Sequence, residues 1–122
     1  MNISTVRKNG VIVAVVDSAQ LVIADVQSAL DLIATVWHEA ECYRMVVPQN
    51  AISEDFFQLS SGLAGEVLQK CVNYRMKLAI VGDFSRYHSK PLRDFIYESN
   101  QGSDVFFVAT LEEALERLAK AE

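Results

Sequence analysis

The pair Asn9-Gly10 stands between two β-prone runs, ISTVRK and VIVAVV, and constrains the fold more than any other local feature. Asn and Gly tolerate the two positive φ angles of a type I′ turn, so Ile3 to Val16 is expected to form a tight hairpin. The second arm is apolar throughout. A strand of that kind belongs in the middle of a sheet and needs partners beyond its own hairpin.

The rest of the chain supplies those partners. From Asp25, which reads as an N-cap, Val26, Leu30, Ile33, Val36 and Trp37 recur at helical spacing and predict a helix ending near Ala40. CYRMVVP reads as a short strand closed by Pro48, and SEDFFQLSS as an irregular or single-turn segment whose Phe56, Phe57 and Leu59 need burial. Leu63, Ala64, Val67, Leu68 and Cys71 then share one helical face, opposite Glu66, Gln69, Lys70 and Asn73, as far as about Tyr74. MKLAIVGDF is a buried strand stopped by Gly82-Asp83. Pro91 opens a helix carrying Leu92, Phe95 and Ile96, and VFFVA is a further strand. Thr110 and Glu113 match the T-x-x-E capping box, ahead of Leu111, Ala114, Leu115 and Leu118 on a last helix. No repeat, low-complexity tract or linker interrupts this alternation. The expected architecture is α/β, a single domain over residues 1–122, with a mixed sheet, an N-terminal hairpin and parallel crossovers packed by about four helices.

A chain of 122 residues, 51% of them hydrophobic, buries roughly two thirds of the surface its unfolded form exposes and needs no disulfide or metal to stabilise it. The net charge of -5 and the lack of a long basic stripe argue against nucleic acid and anionic membrane as partners. The N-terminal residues lack a signal-peptide pattern and no apolar run approaches the ~20 residues that span a bilayer, so a cytoplasmic location is expected. Cys42 and Cys71 belong to no CxxC motif or Cys/His pair and read as inert buried thiols. The adjacent Glu54 and Asp55 suit the first turn of a helix, as do Glu112 and Glu113, and no metal site is assigned.

Ligands of open α/β sheets meet the loops at the carboxyl ends of parallel strands. Three segments are expected there: the helix start at Ser60, Ser61, Gly62 and Gly65, the loop GDFSRYHSKPLR, and the turn before Thr110. The loop is the densest polar cluster in the chain, with Asp83, Ser85, Arg86, Tyr87, His88, Ser89, Lys90 and Arg93. A hydrolase would take Ser60, Ser61 or Ser89 as nucleophile, His88 as base and Asp83 as its orienting partner, but no G-x-S-x-G elbow is present, and no catalytic residue is assigned. Arg86 and Lys90 beside a helix start would suit a small anion such as phosphate. Neither G-x-x-x-x-G-K-[ST] nor G-x-G-x-x-G occurs, and no cofactor is assigned. Gly62 and Gly65 are expected to mark close packing of a helix on its neighbouring strand.

From Leu59 onward, LSSGLAGEVLQKCVNYRMKLAIVGDF and VFFVATLEEALERL resemble the STAS domain, the fold of bacterial anti-sigma factor antagonists and of the cytoplasmic part of sulphate transporters. That resemblance covers about half the chain. It implies that Ser60 corresponds to the phosphorylated serine of the antagonists, with Ser61, Gly62 and Leu63 at the next motif positions and Leu59 where the motif carries aspartate. Over nearly its whole length, with ALDLI upstream and FFQLSSGLAGEVLQKCVNYRMKLAIVGDFSRYHSKPLRDFIYESNQG as its centre, the chain resembles a bacterial family of unknown function, DUF4180. The implied function is a non-catalytic regulatory or protein-interaction module that binds a protein partner or a small anion at Ser60, Ser61 and Gly62, with a homodimer as one form of partner. The alternative is a small hydrolase or phosphate-binding protein using Ser60, Asp83 and His88.

Overall fold

The computed structural model describes all 122 residues. In chain order the elements are β1 (Asn2–Lys8), β2 (Val11–Asp17), α1 (Val26–Ala40), β3 (Arg44–Pro48), α2 (Leu63–Asn73), β4 (Lys77–Val81), α3 (Lys90–Gln101), β5 (Val105–Val108) and α4 (Leu111–Lys120). Three short 3₁₀ turns, Gln49–Ala51, Glu54–Phe57 and Leu59–Ser61, join β3 to α2. The sheet order is β1-β2-β3-β4-β5, antiparallel in the first pair and parallel in the other three. Asn9 and Gly10 adopt φ of 53° and 80°, as the hairpin turn requires.

Alternate residues of each strand point to opposite faces of the sheet. Ala14, Val16, Met45, Val47, Leu78, Ile80 and Phe107 meet α1, α2 and α3 in the larger core. Val13, Val46, Ala79, Phe106 and Val108 face the other way, onto Ala114 and Leu118 of α4. Arg44 locks α4 down by donating to the carbonyls of Leu118 and Ala121 at 2.8 and 2.9 Å. At the outer edge, the Asn100 amide pairs with both the N–H and the carbonyl of Phe107, so β5 presents no free ladder position there. No helix is long and apolar enough to cross a membrane.

Three local expectations are corrected. Helix α1 buries Ala29, Leu32, Ile33 and Val36, whereas Trp37 is exposed. Two overlapping stripes, each of helical period, share Ile33 and Val36, and periodicity alone does not choose between them. At α4 only half of the capping box forms: Thr110 accepts from the Glu113 amide at 3.1 Å, while the Glu113 carboxylate makes no return bond. The complete box is at α1, where Asp25 accepts from the Ser28 amide at 2.7 Å and the Ser28 hydroxyl accepts from the Asp25 amide at 3.0 Å.

Gly65 is the third. It lies on the exposed side of α2 with no heavy atom within 4 Å of where a β-carbon would stand, so it marks no helix-strand contact. Gly62 is required for a different reason, its φ of +82°, which turns the chain into α2.

Candidate functional site

The parallel strands β3 and β4 end side by side at Pro48 and Val81, and the segments that follow them meet. After β3, Phe56 and Phe57 are buried and anchor the second 3₁₀ turn, which leaves the neighbouring Glu54 and Asp55 at the surface. Ser61 ties the next turn to this one. Its hydroxyl donates to the Asp55 carbonyl at 2.6 Å and accepts from the Leu63 amide at 3.2 Å, capping the approach to α2. Ser60, beside it, is exposed and its hydroxyl has no hydrogen-bond partner.

After β4, Gln49 bridges the two strand ends. Its Oε1 accepts from the Asp83 amide at 3.0 Å and its Nε2 donates to the Tyr87 hydroxyl at 3.1 Å. Tyr87 stacks on Phe57 with ring centroids 5.0 Å apart, and its hydroxyl reaches Glu54 Oε2 at 3.0 Å. Arg86 donates to both Glu54 and the Tyr87 oxygen. A proton on the Tyr87 hydroxyl donates to Glu54 while the oxygen accepts from Gln49 and Arg86, which uses its one donor and both of its acceptor positions. Burial, before any neighbour, pushes the Tyr87 phenol above its ordinary range and keeps it protonated. Its bond to Arg86 strengthens the guanidinium's hold on its own proton.

The other loop residues have local duties. The Asp83 carboxylate accepts from the Ser85 hydroxyl at 2.6 Å and from its amide at 3.0 Å, and these bonds hold it below the usual carboxylate range. Ser89 caps α3, accepting from the Leu92 amide at 3.4 Å. Lys90 turns to Asp94 at 2.7 Å, one helical turn away. His88 is exposed and makes no hydrogen bond through its ring. Asp83 is thus committed to Ser85, and Ser60, Asp83 and His88 are joined by no hydrogen bond that would make a relay.

A family model described as "Domain of unknown function (DUF4180)" matches residues 8–118, a span from the end of β1 into α4 that contains the whole of this edge. The chain belongs to the DUF4180 family. No curated protein and no solved structure matches it.

In this DUF4180 chain the structure brings the Ser60–Gly62 turn and the 83–90 loop to one edge through Glu54 and Asp55. Asp55 receives Ser61, and Glu54 receives Arg86 and Tyr87. Of the residues expected at the site, Arg86 takes part in that junction, whereas Ser89 and Lys90 serve α3. Gln49 and Glu54 had no place in the expected set, and Tyr87 stood there only as one residue of the polar loop. Glu54 is 32 residues from Arg86, and only the pairing of β3 with β4 brings them together. No cluster of three or more His, Cys, Asp or Glu side chains is placed to hold a metal ion. What the edge offers chemically is an exposed hydroxyl at Ser60, backbone amides at the start of α2, and a charged pair, Glu54 with Arg86, that is more than half exposed.

Proposed function

We propose that this DUF4180 chain is a non-catalytic regulatory module that docks a protein partner on the carboxyl edge of its sheet, with Ser60 as the switch. The observation that carries this reading is the division of labour between two adjacent serines. The Ser61 hydroxyl makes both side-chain hydrogen bonds of the turn, and the Ser60 hydroxyl makes none. A group added to Ser60 therefore breaks no bond within the fold. A phosphate there would bring close to two negative charges to the start of α2, where the helix dipole favours an anion, and would change the charge of the edge without unfolding it.

The order of elements after β3 supports the same reading: a serine turn, a helix, a strand, a helix, a strand and a final helix follow one another as the STAS resemblance implies. The test is affinity capture with wild type, Ser60→Ala and Ser60→Asp as baits. Wild type and Ser60→Ala are expected to retain the same partner and Ser60→Asp to lose it, with equal melting temperatures for all three. Equal capture by all three proteins overturns the proposal.

A further inference from the structure

At the opposite edge of the sheet, where β3 and β4 begin, α1 and α2 end beside one another. A groove of about 340 Å³ opens there, walled by Ile33 and Trp37 of α1, by Tyr43 ahead of β3, and by Tyr74 and Met76 beyond α2. Trp37, Tyr43 and Tyr74 remain 46%, 45% and 56% exposed. Scattered apolar residues on a surface need no explanation, but three large aromatic side chains gathered in one groove do. Trp37 and Tyr43 stack with centroids 4.5 Å apart and planes inclined by 23°, so each ring holds the other in place. Tyr74 lines the same groove without stacking on either ring.

The turns that deliver these rings use backbone conformations that side chains seldom adopt. Glu41 has φ of 51° and closes α1 by donating its N–H to the Trp37 carbonyl at 2.9 Å, two residues ahead of Tyr43. Arg75 has φ of 59°, directly after Tyr74.

The groove is electrostatically one-sided. Asp31 is the only charged residue in its lining; one carboxylate oxygen accepts from Gln27 at 2.9 Å and the other has no hydrogen-bond partner. The C-terminal turns of α1 and α2, the negative ends of their dipoles, lie toward the end of the groove that holds Trp37 and Tyr74. Trp37 and Tyr43 each cover one face of the other, and the outer faces that the stack leaves free are negative as well. Lys70, Arg75 and His38 are nearby in sequence but none of them lines the groove.

We infer that this groove binds a small free molecule carrying a quaternary ammonium group, with its methyl-clad cation against Trp37, Tyr43 and Tyr74 and its charge balanced by Asp31. A primary ammonium fits less well. Its three N–H donors would find one carboxylate and, beyond the Tyr43 and Tyr74 hydroxyls, a hydrocarbon lining, whereas a quaternary nitrogen has no N–H to satisfy and spreads its charge over its methyl groups.

Trp37 is the only tryptophan in the chain, so its fluorescence reports directly on the groove. The experiment titrates the full-length protein at constant ionic strength with choline and with choline's uncharged isostere, in which carbon replaces nitrogen. Choline is expected to give a saturable change with a half-saturation at least about tenfold lower than the isostere's. The exposed substitutions Asp31→Asn and Tyr74→Leu are each expected to weaken choline severalfold, and Asp31→Asn to leave the isostere unaffected. No saturable response to choline, equal binding of the isostere, or an Asp31→Asn variant that binds choline like wild type overturns the inference. A peptide bearing trimethyl-lysine that binds more tightly than choline also overturns it, because the groove would then belong to a protein partner.

Discussion

Gln49 occupies the space beside Gly82 that any β-carbon there would need: such an atom would fall 2.1 Å from Gln49 Oε1 and 2.6 Å from Gln49 Cβ. The same amide joins the ends of β3 and β4 by bonding to the Asp83 amide and the Tyr87 hydroxyl. Gly82→Ala is therefore expected to displace Gln49, release both bonds and cost about 1–3 kcal/mol. The measurement is a urea titration, in which the midpoint should fall while the slope stays constant. A variant as stable as wild type would mean that Gln49 does not lie across Gly82.

Gly65 should respond with the opposite sign. It is helical, exposed and free of neighbours within 4 Å, so Gly65→Ala removes chain entropy from the unfolded state and overfills nothing. The expected gain is about 0.5–1 kcal/mol by the same titration. A loss of stability would restore the close helix-strand packing that the glycine spacing suggests.

The two serines at the start of α2 should separate cleanly. Ser61→Ala deletes a donor to Asp55 and an acceptor for Leu63 and is expected to cost about 1 kcal/mol. Ser60→Ala deletes no hydrogen bond and should stay within about 0.5 kcal/mol of wild type. Thermal melts of the two variants decide it, and equal destabilisation would remove the basis for treating Ser60 as the available hydroxyl.

Cys71 predicts a pH dependence. Burial, reinforced by the charge of Asp104, pushes its thiol up to about 12 from a reference of 9.0. Below about 9 the thiol is protonated in both states and its contribution to stability is complete. Between 9.0 and about 12 the unfolded chain releases a proton that the folded chain keeps, so stability falls as pH rises through that window. The urea midpoint of wild type should therefore decline more steeply there than that of Cys71→Ala. Parallel profiles would mean that the thiol ionises freely in the native protein. In keeping with burial, neither Cys71 nor Cys42 should react with a thiol reagent at neutral pH until the protein unfolds.

Local chemistry made the element order readable. The positive φ values at Asn9 and Gly10, the Asp25 cap and the apolar runs of β2, β4 and β5 each act within a few residues, so the strands and helices could be placed before any contact was known. A helix start beyond Ser60 and Ser61 was legible for the same reason, although its Gly62 reads as helix-strand packing rather than as the left-handed turn that it makes. The roles within it were not. Which serine is bonded depends on where the Asp55 carbonyl lies, and that position is held by the burial of Phe56 and Phe57.

What the sequence determined by itself was an α/β chain with a hairpin, four helices and a helix start after Ser60 and Ser61, because dihedral preference and hydrophobic period are properties of neighbouring residues. Tertiary structure decided the rest. The sheet order places β3 beside β4 and so brings Glu54 to Arg86 and Gln49 to Gly82, and the seating of α1 leaves Trp37 outside to stack on Tyr43. Such pairings join residues far apart in the chain or choose between helix faces of equal period, and they form only once strands pair and helices pack.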